Sequence, residues 1–283
     1  MKTNKIFLGF LMCSAIGLTT SCLSETKDLE PRSVPEEKET GRLMLDLNAD
    51  ANFAFETRAV DESSYQNFDN YTVNILDGRG NSKFSGTFAT LQTRLPLELD
   101  LGSYSITATY GTEYAASRDG FKVEGSNTFT ISAANTVSTT VNCTPTAGKV
   151  LVAFDASMAT YYDTYSVDFS GTMALGTSVA HWGKEDTNPY YLALDEAGET
   201  VTYTIYLTAT SKYATMQNGN KITEATATGS FTLQRNTAKK LTIRPNYTAT
   251  TEGGLAITIT IDDTTNDKPV DIEVPVSWIN SNS

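Results

Sequence analysis

Trp182, Tyr190 and Tyr191 stand close together in the sequence beside His181, the single histidine of the chain. Exposed rings of this kind stack on the C–H faces of sugars, so these three are the candidate glycan-binding residues; the competing assignment gives them to a domain core. One histidine cannot build a multi-histidine zinc site, and neither a GxSxG nor an HExxH pattern accompanies it. Asp46, Asn48 and Asp50 offer oxygen donors at alternate positions, as the start of a calcium loop does. The rest of that loop fails, because Ala51 stands where the sharp turn needs glycine and Thr57 where a bidentate glutamate should close the site. Asp262, Asp263, Asn266 and Asp267 read as a solvated turn. The chain is therefore read as non-enzymatic, with no metal and no cofactor.

Cys22 carries a different chemistry. Lys2 and Lys5 form a cationic start, Ile6 to Leu18 an apolar run, and Thr19-Thr20-Ser21 small residues leading into the cysteine. The apolar run is well short of the ~20 residues that span a bilayer, so it reads as a cleaved secretory signal over residues 1–21. Its ending resembles the bacterial lipobox, with Thr19 where leucine is usual, and that makes Cys22 the lipidation site and new N-terminus. The expected location is the bacterial outer membrane, lipid-anchored and facing the cell surface. Residues 22–40 are polar and carry Pro31 and Pro35, the composition of a disordered tether.

The formal net charge is -12, and removing residues 1–21 takes away Lys2 and Lys5 and no acid, which makes it -14. A negative surface repels nucleic acid and anionic lipid, so neither is an expected partner. The membrane is reached through the N-terminal lipid. Of the three cysteines, Cys13 leaves with the signal and Cys22 takes lipid, so Cys143 has no disulfide partner and the fold must rely on core packing. Cys143 reads as a small core residue facing the same way as Val141.

These groups must be positioned by strands. Apolar and polar residues alternate in Tyr104, Ile106, Ala108 and Tyr110; in Val201, Tyr203, Ile205, Leu207 and Ala209; and in Leu255, Ile257, Ile259 and Ile261. Period two over such lengths marks half-buried strands, and the abundant threonine suits them. Short helical turns are expected near Ala89 to Thr93 and Met158 to Tyr162. Gly102 in Leu95-to-Tyr104 is expected to form a tight turn that returns the next strand beside the first. Thr144 to Gly148, with its Pro and Gly, is expected to interrupt pairing and mark a boundary. The resulting assignment is all-β: two tandem antiparallel β-sandwiches, at residues 41–144 and 145–283.

Gly41-Arg42-Leu43-Met44-Leu45, Thr57-Arg58-Ala59, Tyr71-Thr72-Val73-Asn74-Ile75, Gly102-Ser103-Tyr104 through Tyr110-Gly111, and Gly120-Phe121 through Cys143 follow one another in an order that resembles a Bacteroidetes lipoprotein family of uncharacterised function, fimbrillin-like in fold. The resemblance implies two transthyretin-like sandwiches and surface or adhesive roles, with no catalytic residues. It also implies a use for Arg58, since in fimbrillin-type pilins cleavage after an arginine removes the first strand and opens a groove for a neighbour's strand. The competing assignment for Arg58 is an ordinary loop residue. The leading function is a lipid-anchored, non-catalytic adhesion or ligand-binding module whose ligand is a glycan or a protein. The alternatives are a fimbrial subunit or tip protein assembling by strand exchange, oligomeric only in that case, and a glycan-binding accessory lipoprotein of a nutrient-uptake system. The C-terminal strand from Val270 is expected at a sheet edge, paired within its own domain, because Pro275 lacks a backbone donor.

Overall fold

Alternation becomes strands whose inward residues meet in two cores. The computed structural model describes residues 39–55, 60–213, 215–217, 220–246, 256–263 and 270–275. Cys22, the segment 1–21, residues 22–38 and Arg58 lie outside the described residues.

The first part of the chain supplies β1 (Thr40–Ala49), β2 (Thr72–Asp77), β3 (Ser82–Thr87), β4 (Leu97–Asp100), β5 (Gly102–Gly111), β6 (Ala116–Ser117), β7 (Lys122–Ile131) and β8 (Thr136–Pro145). Except for β6 these follow the order β3-β2-β5-β7-β8-β1-β4. Two register pairs, Val123 with Pro145 and Glu124 with Thr144, join β7 to β8. The strands on either side of that junction share one core, where β1 contributes Leu43, Leu45 and Leu47, all at most 4% exposed, and β5 contributes Tyr104, Ile106 and Ala108. Between β3 and β4, Phe88 and Leu91 of a one-turn helix, α1 (Phe88–Gln92), are buried in that core.

The rest supplies β9 (Ala147–Phe154), α2 (Met158–Tyr161), β10 (Tyr162–Ser170), β11 (Ala180–Gly183), β12 (Tyr190–Ala193), β13 (Glu199–Ala209), the short pair β14 (Thr215–Gln217) and β15 (Asn220–Ile222), then β16 (Glu224–Leu233), β17 (Ala238–Asn246), β18 (Ala256–Asp263) and β19 (Val270–Pro275). A four-stranded sheet, β11-β10-β13-β16, and a six-stranded one, β19-β18-β17-β9-β12-β6, enclose the second core. Trp182, Phe169, Tyr203 and Ile205 enter it from the first sheet and Val150, Leu241 and Ile257 from the second.

The expected all-β architecture holds, and both short helical turns lie where the sequence placed them. Antiparallel ladders dominate, with one parallel pair in each half: β1 with β8 and β9 with β17. A parallel pair needs a long crossover, and here each crossover is nearly a whole sandwich, so the first strand of each half is held by one of its last. Strand β19 pairs with β18 at the sheet edge, with Pro275 opposite Ala256.

Two local expectations are corrected. Leu97–Asp100 does not form a hairpin with the strand after it: β4 pairs with β1, whereas β5 pairs with β2 and β7. Gly102, at φ +150°, starts β5 at a corner where the chain changes partners. Pairing also continues through Thr144 to Gly148, because Pro145 is opposite Val123 and Gly148 opposite Leu192. This crossing is packed tightly, with Thr146 at 1% exposure. A Cβ on Gly148 would come within 2.5 Å of the Leu233 side chain, so the close approach requires glycine.

Candidate functional site

Trp182 and Tyr190 lie where the loop between β5 and β7 reaches the second sandwich. That loop contributes β6, which pairs with β12 through Ala116–Leu192 and Ser117–Tyr191. The next residue, Arg118, lays its guanidinium 3.9 Å from the Tyr190 ring centre and 4.8 Å from that of Trp182. It donates to the carbonyls of Asn188 and His181 and to Asp186 Oδ2, the last at 2.9 Å. Asp186 Oδ2 also accepts from Gly183 N–H at 2.8 Å, which fixes the carboxylate for the arginine. A planar cation suits this position, since it stacks on rings while its edge donates to several oxygens.

A second contact is buried. Lys149 sits in the apolar run Gly148-Lys149-Val150-Leu151-Val152, and its side chain is 0% exposed. Its ammonium donates to Glu62 Oε1 at 2.7 Å and to the Phe55 carbonyl at 2.6 Å. Tyr191 donates its hydroxyl to the same Glu62 oxygen at 2.6 Å. The Tyr191 ring packs on Phe121 and Phe53, at centroid distances of 4.8 and 5.5 Å, and so belongs to the first core although it lies on β12. Burying an ammonium demands a paired carboxylate and filled donor positions; the first residue of the 3-10 turn Glu62–Gln66 supplies the carboxylate, and Phe55, earlier in the chain, a carbonyl.

The three candidate glycan residues are thus brought to one region and used inside the protein. Trp182 is 0% and Tyr191 1% exposed, leaving neither ring a face for a ligand, and half-buried Tyr190 is covered by Arg118. His181 is the exception: it is 61% exposed, with Nδ1 2.6 Å from Asp168 Oδ1. Asp46 and Asn48 point outward from β1, opposite its buried leucines, and Asn48 donates to Asn142 across the sheet. That is a strand face and not an ion-binding loop. Among the described residues no group of three or more His, Cys, Asp or Glu is placed to hold a metal.

The sequence marks the arginine and lysine contacts unequally. Nothing local marks Arg118, whose partners are far away along the chain. Lys149 did carry a signal, because a lone cation inside an otherwise apolar strand must find an anion.

Cys143 is 1% exposed in the first core, and burial pushes its thiol up to about 11. The reactive form is the thiolate, so the folded protein should leave Cys143 unmodified by iodoacetamide at pH 8, with alkylation appearing once denaturant unfolds it. Peptide mapping by mass spectrometry checks this; stoichiometric modification without denaturant would contradict the packing.

On the outer face of the first sandwich lies a trough of about 450 Å³ lined by Ser103, Ser105, Thr128 and Thr130, with Asp77 and Gly78 at its edge. Asn81, through its side chain and backbone N–H, holds the Asp77 carboxyl well below the usual carboxylate range, and Lys83 adds to this. Asp77 is thereby engaged in its own hairpin.

Residues 39–276 match the family described as "Domain of unknown function (DUF4493)". The chain belongs to this family. Its DUF4493 region covers both sandwiches, in keeping with the uncharacterised family that the ordered sequence signals resemble. Solved structures similar to the DUF4493 chain include a fimbrial assembly protein from Parabacteroides distasonis, 12% identical, covering 82% of this chain and 99% of that one with a TM-score of 0.40. Another is the fimbrial anchor protein Mfa2 from Porphyromonas gingivalis, 10% identical, covering 82% and 99% with a TM-score of 0.39. Among curated proteins none matches the chain.

Proposed function

We propose that this DUF4493 protein is a lipid-anchored, non-catalytic binding module of the bacterial cell envelope, serving adhesion or ligand capture at the outer surface. The observation that supports the reading is the sequence of residues 1–22, a cationic start and an apolar run ending in Thr19-Thr20-Ser21-Cys22, which resembles an export signal with a lipid attachment point. Domains at 41–144 and 145–283 are part of the proposal, supported by the two cores, which trade only a few residues across that boundary: Ala147 and Tyr191 enter the first core, and β6 joins the second half's sheet. The Arg118 and Lys149 contacts tie the two halves together. Purified protein applied to a glycan and host-protein array should bind a defined subset of spots. Absence of binding to any spot, by a protein with a cooperative melt, would contradict the ligand-binding role.

A second reading, the strand-exchanging fimbrial subunit, is favoured by the place of β1. It lies between β8 and β4 and buries Leu43, Leu45 and Leu47, so losing it would empty a row of the first core. Cleavage at Arg58 would have that effect, and would also sever the chain from Cys22. After digestion with an arginine-specific protease, size-exclusion chromatography should show a monomer under the anchored reading. A ladder of stable oligomers would favour the pilin reading instead.

A further inference from the structure

With the three sequence-predicted rings enclosed, the binding surface has to be sought elsewhere, and the outer face of β11-β10-β13-β16 combines a hydroxyl-rich surface with an open ring. Along β13, Val201, Tyr203, Ile205 and Leu207 are buried, which turns Thr202, Thr204, Tyr206 and Thr208 outward. Register sets Thr226, Thr228 and Ser230 of β16 beside Tyr206, Thr204 and Thr202. On the other flank it sets Ser166, Asp168 and Ser170 of β10 beside the same three residues. His181 is level with Asp168 and bonded to it. The result is a lattice of hydroxyls with repeats of about 4.8 Å across strands and about 6.7 Å along them. Within it stands one open ring, Tyr206, at 45% exposure.

This chemistry selects a ligand class. None of these register positions is Lys or Arg; Lys184 lies at the rim with its ammonium on the Asp163 carbonyl, and His181 is paired with Asp168, so the hydroxyl lattice itself presents no free lysine or arginine to hold phosphate, sulfate or carboxylate groups. Each threonine hydroxyl can donate one hydrogen bond and accept two, as every sugar hydroxyl can. Tyr206 offers a flat apolar ring with a polar tip, matching a pyranose that has C–H groups on one side and hydroxyls at its rim. Asp168, oriented by His181, adds a carboxylate acceptor beside Thr204. The trough on the first sandwich has similar hydroxyls, but its rings Tyr104 and Phe129 are 3% and 8% exposed.

We infer that the face centred on Tyr206 binds an uncharged polysaccharide lying along β13 and β16. The inference rests on the ligand-binding reading above and names its ligand class. An open sheet face engages an extended chain through several weak contacts, so a polymer should bind better than its monosaccharide.

Affinity electrophoresis of the purified protein through gels containing a neutral β-glucan, α-mannan or xylan tests this, with an anionic polysaccharide as comparison. At least one neutral polymer should retard the protein. Tyr206→Ala and Thr204→Glu should each weaken that retardation by about ten-fold with unchanged thermal melts, and Tyr206→Phe should keep most of it. Ser105→Glu in the first-sandwich trough should have no effect. Retardation that survives both Tyr206→Ala and Thr204→Glu would overturn the site while leaving the ligand-binding reading intact. Binding to array proteins without retardation by any neutral polymer would overturn the ligand class, and binding to neither would overturn both readings.

Discussion

Glu62→Ala should lower the stability of the folded protein by about 3–5 kcal/mol, because it leaves the ammonium of Lys149 in the interior without its anion. Lys149 is 0% exposed and cannot turn to water, and Glu62, at 13%, is its carboxylate partner and accepts from Tyr191 as well. The reverse change should cost less. Lys149→Met keeps the stem's volume and removes the charge, leaving a Glu62 carboxylate that still touches solvent. In Lys149→Met/Glu62→Ala no charge is buried, so much of the loss should return, and the two changes should be strongly non-additive. Urea denaturation of the four proteins closes the cycle. A Glu62→Ala cost below about 1 kcal/mol would mean that Lys149 finds another anion or reaches water.

Trp182→Ala should cost a similar amount, about 3–5 kcal/mol, by removing the largest fully buried side chain of the second core and leaving a cavity. Its Nε1 has no hydrogen-bond partner, so Trp182→Phe gives up ring volume without breaking a polar contact and should cost less. Neither change should alter which ligands the surviving folded protein binds. If Trp182→Ala instead left stability unchanged and abolished glycan binding, the ring would be a surface platform, in conflict with its 0% exposure.

Alternation in Val201 to Ala209 and in Tyr104 to Tyr110 reveals strands because one face must be dry, and burial follows that alternation closely in the structure. Alternation does not reveal partners. The tight hairpin expected at Gly102 and the observed β4–β1 pairing share the same local pattern, and the choice is made by β1, far earlier in the chain. The parallel closures β1–β8 and β9–β17 are equally invisible, since neither has a turn of its own. Trp182, Tyr190 and Tyr191 are neighbours in the sequence, yet Trp182 enters the second core and Tyr191 the first, and composition cannot tell a ring that faces water from one that an arginine elsewhere in the chain covers. Tyr206 was hidden for the opposite reason: it is the outward tyrosine in Tyr203-Thr204-Ile205-Tyr206-Leu207, and strand phase had to be fixed before its exposure meant anything.

Envelope anchoring is tested most directly by growing cells with labelled palmitate and fractionating them, comparing the natural protein with Cys22→Ser. The natural protein should carry label and sediment with the outer membrane, whereas Cys22→Ser should lose the label and appear as soluble protein or unprocessed precursor. Equal labelling and equal sedimentation of the two would contradict the anchored account.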